Sequence, residues 1–191
     1  ESDYYLTGYD TSGYVFFQCL IVTADEQPVT LLTRRPDLEQ ARHSSIIEDI
    51  RVWYDTEDAD PTEDLQAILE EKGLKGGRVG VELSTYGLTG YNHQRLRNRL
   101  DGWCQLEDAS YLVRSLRLIK SPAEIAYVRR AAELADESLE AMLAAAGPGA
   151  FEGDISAAGQ SVNLRGGGDM PPSGPVLGSG ERALLIRSAT G

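Results

Sequence analysis

Hydrophobic spacing changes period several times along the first 118 residues, and each change predicts an element. Residues 14–22 are β-branched and aromatic, and after Asp25-Glu26-Gln27-Pro28 a second such run covers residues 29–33, which together predict a β-hairpin. Arg34-Arg35-Pro36-Asp37 predicts the opening of a short helix that ends near Arg42, and residues 50–54 return to a strand pattern. Asp60-Pro61-Thr62-Glu63 then combines a cap residue, a first-turn proline and an acid placed to reach back to the cap. Leu65, Ile68 and Leu69 follow on one helical face, with Gly73 as the stop. Val79, Val81 and Leu83 alternate, so residues 50–83 read as strand, helix and strand, with a connection long enough for a right-handed parallel crossover. A helix over residues 92–100 and a strand over 103–106 complete an α/β unit ending near Leu118.

Beyond that point the period becomes helical. Ser121-Pro122-Ala123-Glu124 is the strongest helix start in the chain, because Ser caps, Pro occupies the first turn and Glu124 can bond back to the cap amide. Ile125, Val128, Ala132, Ala135, Leu139 and Met142 recur at steps of three and four residues, predicting a long helix with one apolar face that stops at Gly147-Pro148-Gly149. A second amphipathic helix over 152–164 leads into a loop rich in Gly and Pro over 166–174. Val176-Leu177 and residues 183–186 predict two strands joined by Gly178-Ser179-Gly180-Glu181. Two helices and a hairpin offer too little surface to close a second core, so the expectation is a fragment of a longer chain.

Composition narrows the class. With 191 residues, 41% of them apolar, the chain has the profile of one globular domain or two small ones. Its 30 acids against 18 bases give a formal charge of -12, which repels polyanions, so neither nucleic acid nor an anionic membrane is an expected partner. No apolar run approaches the length of a spanning helix. Cys19 and Cys104 lack metal or redox spacing and read as core thiols, and a reducing cytoplasm is the expected compartment.

The candidate chemistry is sparse. Gly178-Ser179-Gly180-Glu181-Arg182-Ala183 satisfies a dinucleotide fingerprint, but the expected strand after it would aim no helix dipole at a pyrophosphate. His43 and His93 have no neighbouring ligand at metal spacing. No serine elbow occurs, and Glu133, Asp136, Glu137 and Glu140 lie on the polar face of the long helix, where Glu133 can pair with Arg129. No complete catalytic constellation emerges, and no catalytic or metal-ligating residue is assigned.

Three strings in order carry a resemblance. Tyr5-Leu6-Thr7-Gly8-Tyr9 resembles the strand-and-turn signature near the start of the creatinase/prolidase N-terminal domain. Lys120-Ser121-Pro122-Ala123-Glu124-Ile125, with Arg129 and residues 131–136, resembles the junction helix opening the catalytic half of the same proteins, and Gly178-Ser179-Gly180-Glu181 resembles the glycine turn inside that half. The chain is thereby identified as similar to the family of creatinase, prolidase and aminopeptidase P.

That resemblance implies an α/β fold: a creatinase-type N-terminal domain over 1–118, with a mixed sheet flanked by helices and lacking its first strand and helix. The first helices and hairpin of a pita-bread α+β domain follow over 119–191. It implies a cytoplasmic hydrolase of a C–N bond, either an Xaa-Pro aminopeptidase or dipeptidase, or an amidinohydrolase or amidohydrolase like creatinase and ectoine hydrolase. The peptidase branch implies a pair of divalent ions (Mn, Co or Zn) that activate a bridging water, held by two aspartates, one histidine and two glutamates beyond residue 191. Small peptides or small amides and amidines are the implied substrates, and a homodimer is implied, with the N-terminal domain serving as a dimerisation and gating module through the Tyr4 to Tyr9 region. Two residues are carried as substrate contacts, Tyr9 and Arg187. Arg187 stands where the peptidases place a histidine after the glycine turn, and it can clamp a carboxylate but cannot shuttle a proton near neutral pH.

Overall fold

The computed structural model describes residues 2–169 and 174–185. The chain divides into two compact units, Glu1–Leu118 and Ile119–Gly191.

The first unit opens with helix α1 (Ser2–Thr7), where the resemblance implies a strand before the turn. The helix wins because Gly8 closes it: its φ of 77° lets its N–H donate to Tyr4 O at 2.8 Å, the αL ending that only a residue without Cβ adopts easily. Strand β1 (Cys19–Ile21) pairs antiparallel with β2 (Thr30–Arg34), which is the expected hairpin, although a 3₁₀ turn over Gly13–Val15 occupies the start of the apolar run. A 3₁₀ turn over Arg35–Asp37 leads into α2 (Leu38–Ser44), which returns the chain to β3 (Asp49–Trp53), parallel to β2 with Arg34 opposite Trp53.

Helix α3 (Pro61–Glu71) is capped by the Asp60 carboxylate, which accepts from Thr62 N at 3.1 Å and from Thr62 Oγ1 at 2.6 Å. The expected return bond from Glu63 is not made, because Glu63 instead accepts from Arg99 at 2.6 Å, and a guanidinium is a stronger partner for a carboxylate than an amide is. Gly73, at φ 73°, ends the helix as expected, with Leu74 N donating to Leu69 O and Gly73 N to Glu70 O. Strand β4 (Arg78–Val81), helix α4 (Gly90–Leu100) and strand β5 (Gln105–Asp108) form a second parallel pair, and α5 (Leu112–Arg117) closes the unit.

The expected crossover from β3 to β4 does not produce a ladder: β1-β2-β3 form one sheet and β4-β5 another. Alternation identifies a half-buried strand but not its neighbour. What unites the two sheets is side-chain packing. Phe17, Leu32, Trp53, Leu65, Ile68 and Leu96 belong to one buried cluster, with Val81 and Leu106 packed against it. A smaller cluster of Tyr9, Leu31, Ala41 and Ile47 seals the opposite face of β2.

The second unit holds two helices, α6 (Pro122–Ala145) and α7 (Glu152–Arg165). The capping box at α6 forms as expected, with Glu124 N donating to Ser121 Oγ at 3.2 Å and Ser121 N donating to Glu124 Oε2 at 2.7 Å. The expected hairpin after the glycine turn is absent among the described residues. Residues 174–179 are irregular and Gly180–Leu184 form a 3₁₀ turn, while Ile186 lies outside the described residues. An isolated two-stranded ribbon is marginal in water, and Leu184 and Leu185 meet no sheet there to pair with.

Candidate functional site

The carboxyl ends of the parallel strands β2 and β3 concentrate the polar chemistry of the first unit, as α/β sheets commonly arrange. Arg34, the last residue of β2, lies with its guanidinium 3.7 Å from the centroid of the Phe16 ring. Its Nε stands 3.0 Å from Asp55 Oδ2, just past the end of β3, in a pairing too bent for a hydrogen bond. Trp53 Nε1 donates to Phe17 O at 2.9 Å, which ties the loop carrying Phe16 to β3.

Beyond β3 an acidic hollow is lined by Tyr54, Asp58, Asp60, Glu63 and Asp64. Arg95 and Arg99 from α4 each reach Asp60 at 2.9 Å. Burial alone would raise the Asp60 pKa, but hydrogen bonds from Thr62 and Arg99 and the charge of Arg95 hold it down to about 2. Asp64 moves the other way, raised by burial and by the carboxylates of Glu63 and Asp60. This network is a helix cap joined to an ion-pair bridge between α3 and α4, and both its arginines are committed to it.

Burial pushes the Cys19 thiol up to about 12, with the Asp3 charge adding to it, and burial raises Cys104 as well, so neither is a ready nucleophile. His43 is exposed beside Glu39 at 3.8 Å. On α6 Glu133 pairs with Arg130 at 3.0 Å rather than with the expected Arg129, and Arg130 also approaches Glu137 at 3.6 Å.

In the second unit Glu152, at the start of α7, accepts from Ser179 N at 2.7 Å and from Ser179 Oγ at 2.6 Å, and Arg182 lies 3.3 Å away. The Ser179 hydroxyl and amide bonds hold its carboxyl below the usual range. The glycine turn thus spends its amide on a protein carboxylate, and a 3₁₀ turn follows it, so the dinucleotide fingerprint has neither a free anion cradle nor a helix behind it.

Of the two residues carried as substrate contacts, Tyr9 is 1% exposed, its ring enclosed by Leu31, Ala41 and Ile47 and its hydroxyl without a hydrogen-bond partner. The large side chains of that segment that reach solvent are Tyr4, Tyr5 and Leu6. Arg187 lies outside the described residues. Among the described residues, no group of three His, Cys, Asp or Glu side chains converges to hold a metal ion, so a dinuclear centre does not fit the side chains placed here. No described helix is long and apolar enough to cross a membrane. The Arg34–Phe16–Asp55 contact went unread in the sequence, since nothing in the spacing of residues 16, 34 and 55 shows that β-pairing unites them.

The model of the Creatinase/Prolidase N-terminal domain matches residues 1–119. The chain belongs to this family. An uncharacterized hydrolase/peptidase of Sinorhizobium fredii is 30% identical over 189 residues, covering 94% of this chain and 48% of the relative. The ectoine hydrolase of Halomonas elongata is 29% identical, again over 94% of this chain and 48% of its own length. The chain therefore spans about half the length of these curated relatives. Among solved structures, a prolidase from Thermococcus sibiricus aligns with a TM-score of 0.72 at 18% identity, over 88% of this chain and 44% of that one. An Xaa-Pro dipeptidase from Bacillus anthracis aligns with a TM-score of 0.65 at 22% identity, over 86% and 42%. These two share the fold.

Proposed function

We propose that the chain is the N-terminal domain and the beginning of the catalytic domain of a hydrolase that cleaves a C–N bond, with the domain boundary at 118/119. The observation that carries this reading is the alignment with a hydrolase/peptidase over 94% of the chain, which runs well past the N-terminal domain match at residues 1–119. The simplest member of that class is an Xaa-Pro aminopeptidase or dipeptidase, cytoplasmic and dimeric, acting on small peptides. In this reading the divalent metal pair belongs to side chains outside the described residues, because those described do not converge on one.

A second reading has its own support. The likeness to an ectoine hydrolase, together with an arginine at position 187, favours a small amide or amidine bearing a carboxylate, which Arg187 would clamp with two parallel hydrogen bonds. The N-terminal domain is proposed to gate the substrate mouth through exposed Tyr4 and Tyr5, with Tyr9 anchoring them from the core.

The deciding experiment assays the full-length protein on Xaa-Pro dipeptides and on ectoine, with and without a chelator. Chelator-sensitive dipeptide cleavage supports the peptidase. Chelator-insensitive opening of the ectoine ring, a cyclic amidine, supports the second reading, and hydrolysis of neither class refutes both. Arg187→His should shift preference between the two substrates, and an unchanged preference removes Arg187 from the site.

A further inference from the structure

The guanidinium of Arg34 is held but not satisfied. One face lies on the Phe16 ring at 3.7 Å, and Nε faces Asp55 at 3.0 Å. Among the described residues no hydrogen bond reaches either Nη, and of the three guanidinium nitrogens only Nε is fully buried without a partner, so neither Nη is fully enclosed. The side chain as a whole is nonetheless only 19% exposed, which fixes the direction of the fork and limits the entropy lost when a ligand binds. Phe16 is 45% exposed and offers an apolar floor beside the fork. The place is the carboxyl end of two parallel strands, where sheets of this kind bind small ligands. Arg35 follows immediately, exposed, and adds positive charge to an otherwise acidic chain.

We propose that the open end of Arg34, seated on Phe16, is a binding site for a small carboxylate carrying an adjoining apolar group. The two Nη amines match the two carboxylate oxygens in a bidentate pair, and the apolar group lies against the Phe16 ring. Asp55 holds Nε and at the same time opposes the incoming negative charge, so it sets the affinity low. This site is independent of the hydrolase reading and of Arg187.

The test titrates the full-length protein with isobutyrate, using isobutyramide and chloride at equal ionic strength as controls, and follows arginine Nε/Nη and phenylalanine ring signals by NMR. Saturable shifts confined to Arg34 and Phe16 with isobutyrate, and not with the amide or chloride, are expected. Arg34→Gln should weaken binding ten-fold or more, Phe16→Ala should weaken isobutyrate more than acetate, and Asp55→Asn should tighten it several-fold, each variant being checked for an unchanged amide spectrum elsewhere. Equal response to the neutral amide, undiminished binding by Arg34→Gln, or weaker binding by Asp55→Asn overturns the proposal. Because Asp55→Asn removes a partner yet is expected to gain affinity, a purely structural role for the cluster predicts the opposite sign.

Discussion

The first unit closes its apolar residues into two clusters on either side of β2, whereas among the described residues the second rests on one seam between α6 and α7. In unit 1 Leu31 and Leu32, adjacent on β2, point to opposite faces and both are fully buried, so one strand nucleates both clusters. In unit 2 the large side chains that are buried are Leu134 and Ile155, while Ile125, Val128, Leu139 and Leu143 on the same apolar pattern remain exposed. Amphipathic spacing records which positions favour burial, and it takes a partner surface to bury them. A long, well-capped helix is therefore no sign of a closed core.

The sharpest way to break this contrast is truncation on each side. Leu32→Ala removes a fully buried side chain from the main cluster and should cost about 2–5 kcal/mol of unit 1 stability in urea unfolding. Leu139→Ala, on an exposed position of α6, should stay within about 0.5 kcal/mol. Comparable losses from the two would show that the second unit is as tightly closed as the first.

Asp60 ties α3 to α4 through a cap and two arginines, and Asp60→Ala should cost about 1–3 kcal/mol, more than an isolated cap would. Its carboxyl is held at about 2, below the unfolded value near 3.9. The folded pKa is the lower one, so the stabilisation is complete above about pH 4 and fades as the pH falls toward 2. Acid titration followed by circular dichroism should show a shallower loss of stability in Asp60→Asn over that interval than in the wild type.

Gly8→Ala forces a Cβ into the left-handed region at φ 77° and to 3.2 Å from Ser44 O, so unit 1 should lose about 1–2 kcal/mol by the same urea measurement. A smaller loss than that of Gly8→Ala is expected in unit 2, where Ser121→Ala removes half of the capping box and should cost about 1 kcal/mol of helix stability. Hydrogen exchange reads this best: amides in the first turns of α6 should exchange faster, with those of β2 unaffected. Exchange through β2 that accelerates equally would mean that the two units unfold as one.

Local signals were legible wherever neighbouring residues settle the matter. The Asp60 and Ser121 caps, the Gly73 stop, the hairpin of β1 and β2 and the two long helices follow from side chains within a few positions of one another. The errors share a cause as well. Glu63 leaves its own cap for Arg99, 36 positions away, and Glu133 pairs with Arg130, which also approaches Glu137, rather than with Arg129.

Periodicity, caps and turn residues by themselves determined the β1-β2 hairpin, the β3, β4 and β5 strand segments and the helices α3, α4, α6 and α7, since these depend on backbone conformations and spacings internal to each segment. Tertiary structure alone decided that β3 and β4 join different sheets, that Arg34, Phe16 and Asp55 meet, and that Gly180–Leu184 form a 3₁₀ turn. Those outcomes depend on pairing and charge competition between residues far apart in the chain, where the free energy of a contact exists only once the fold has brought its partners together.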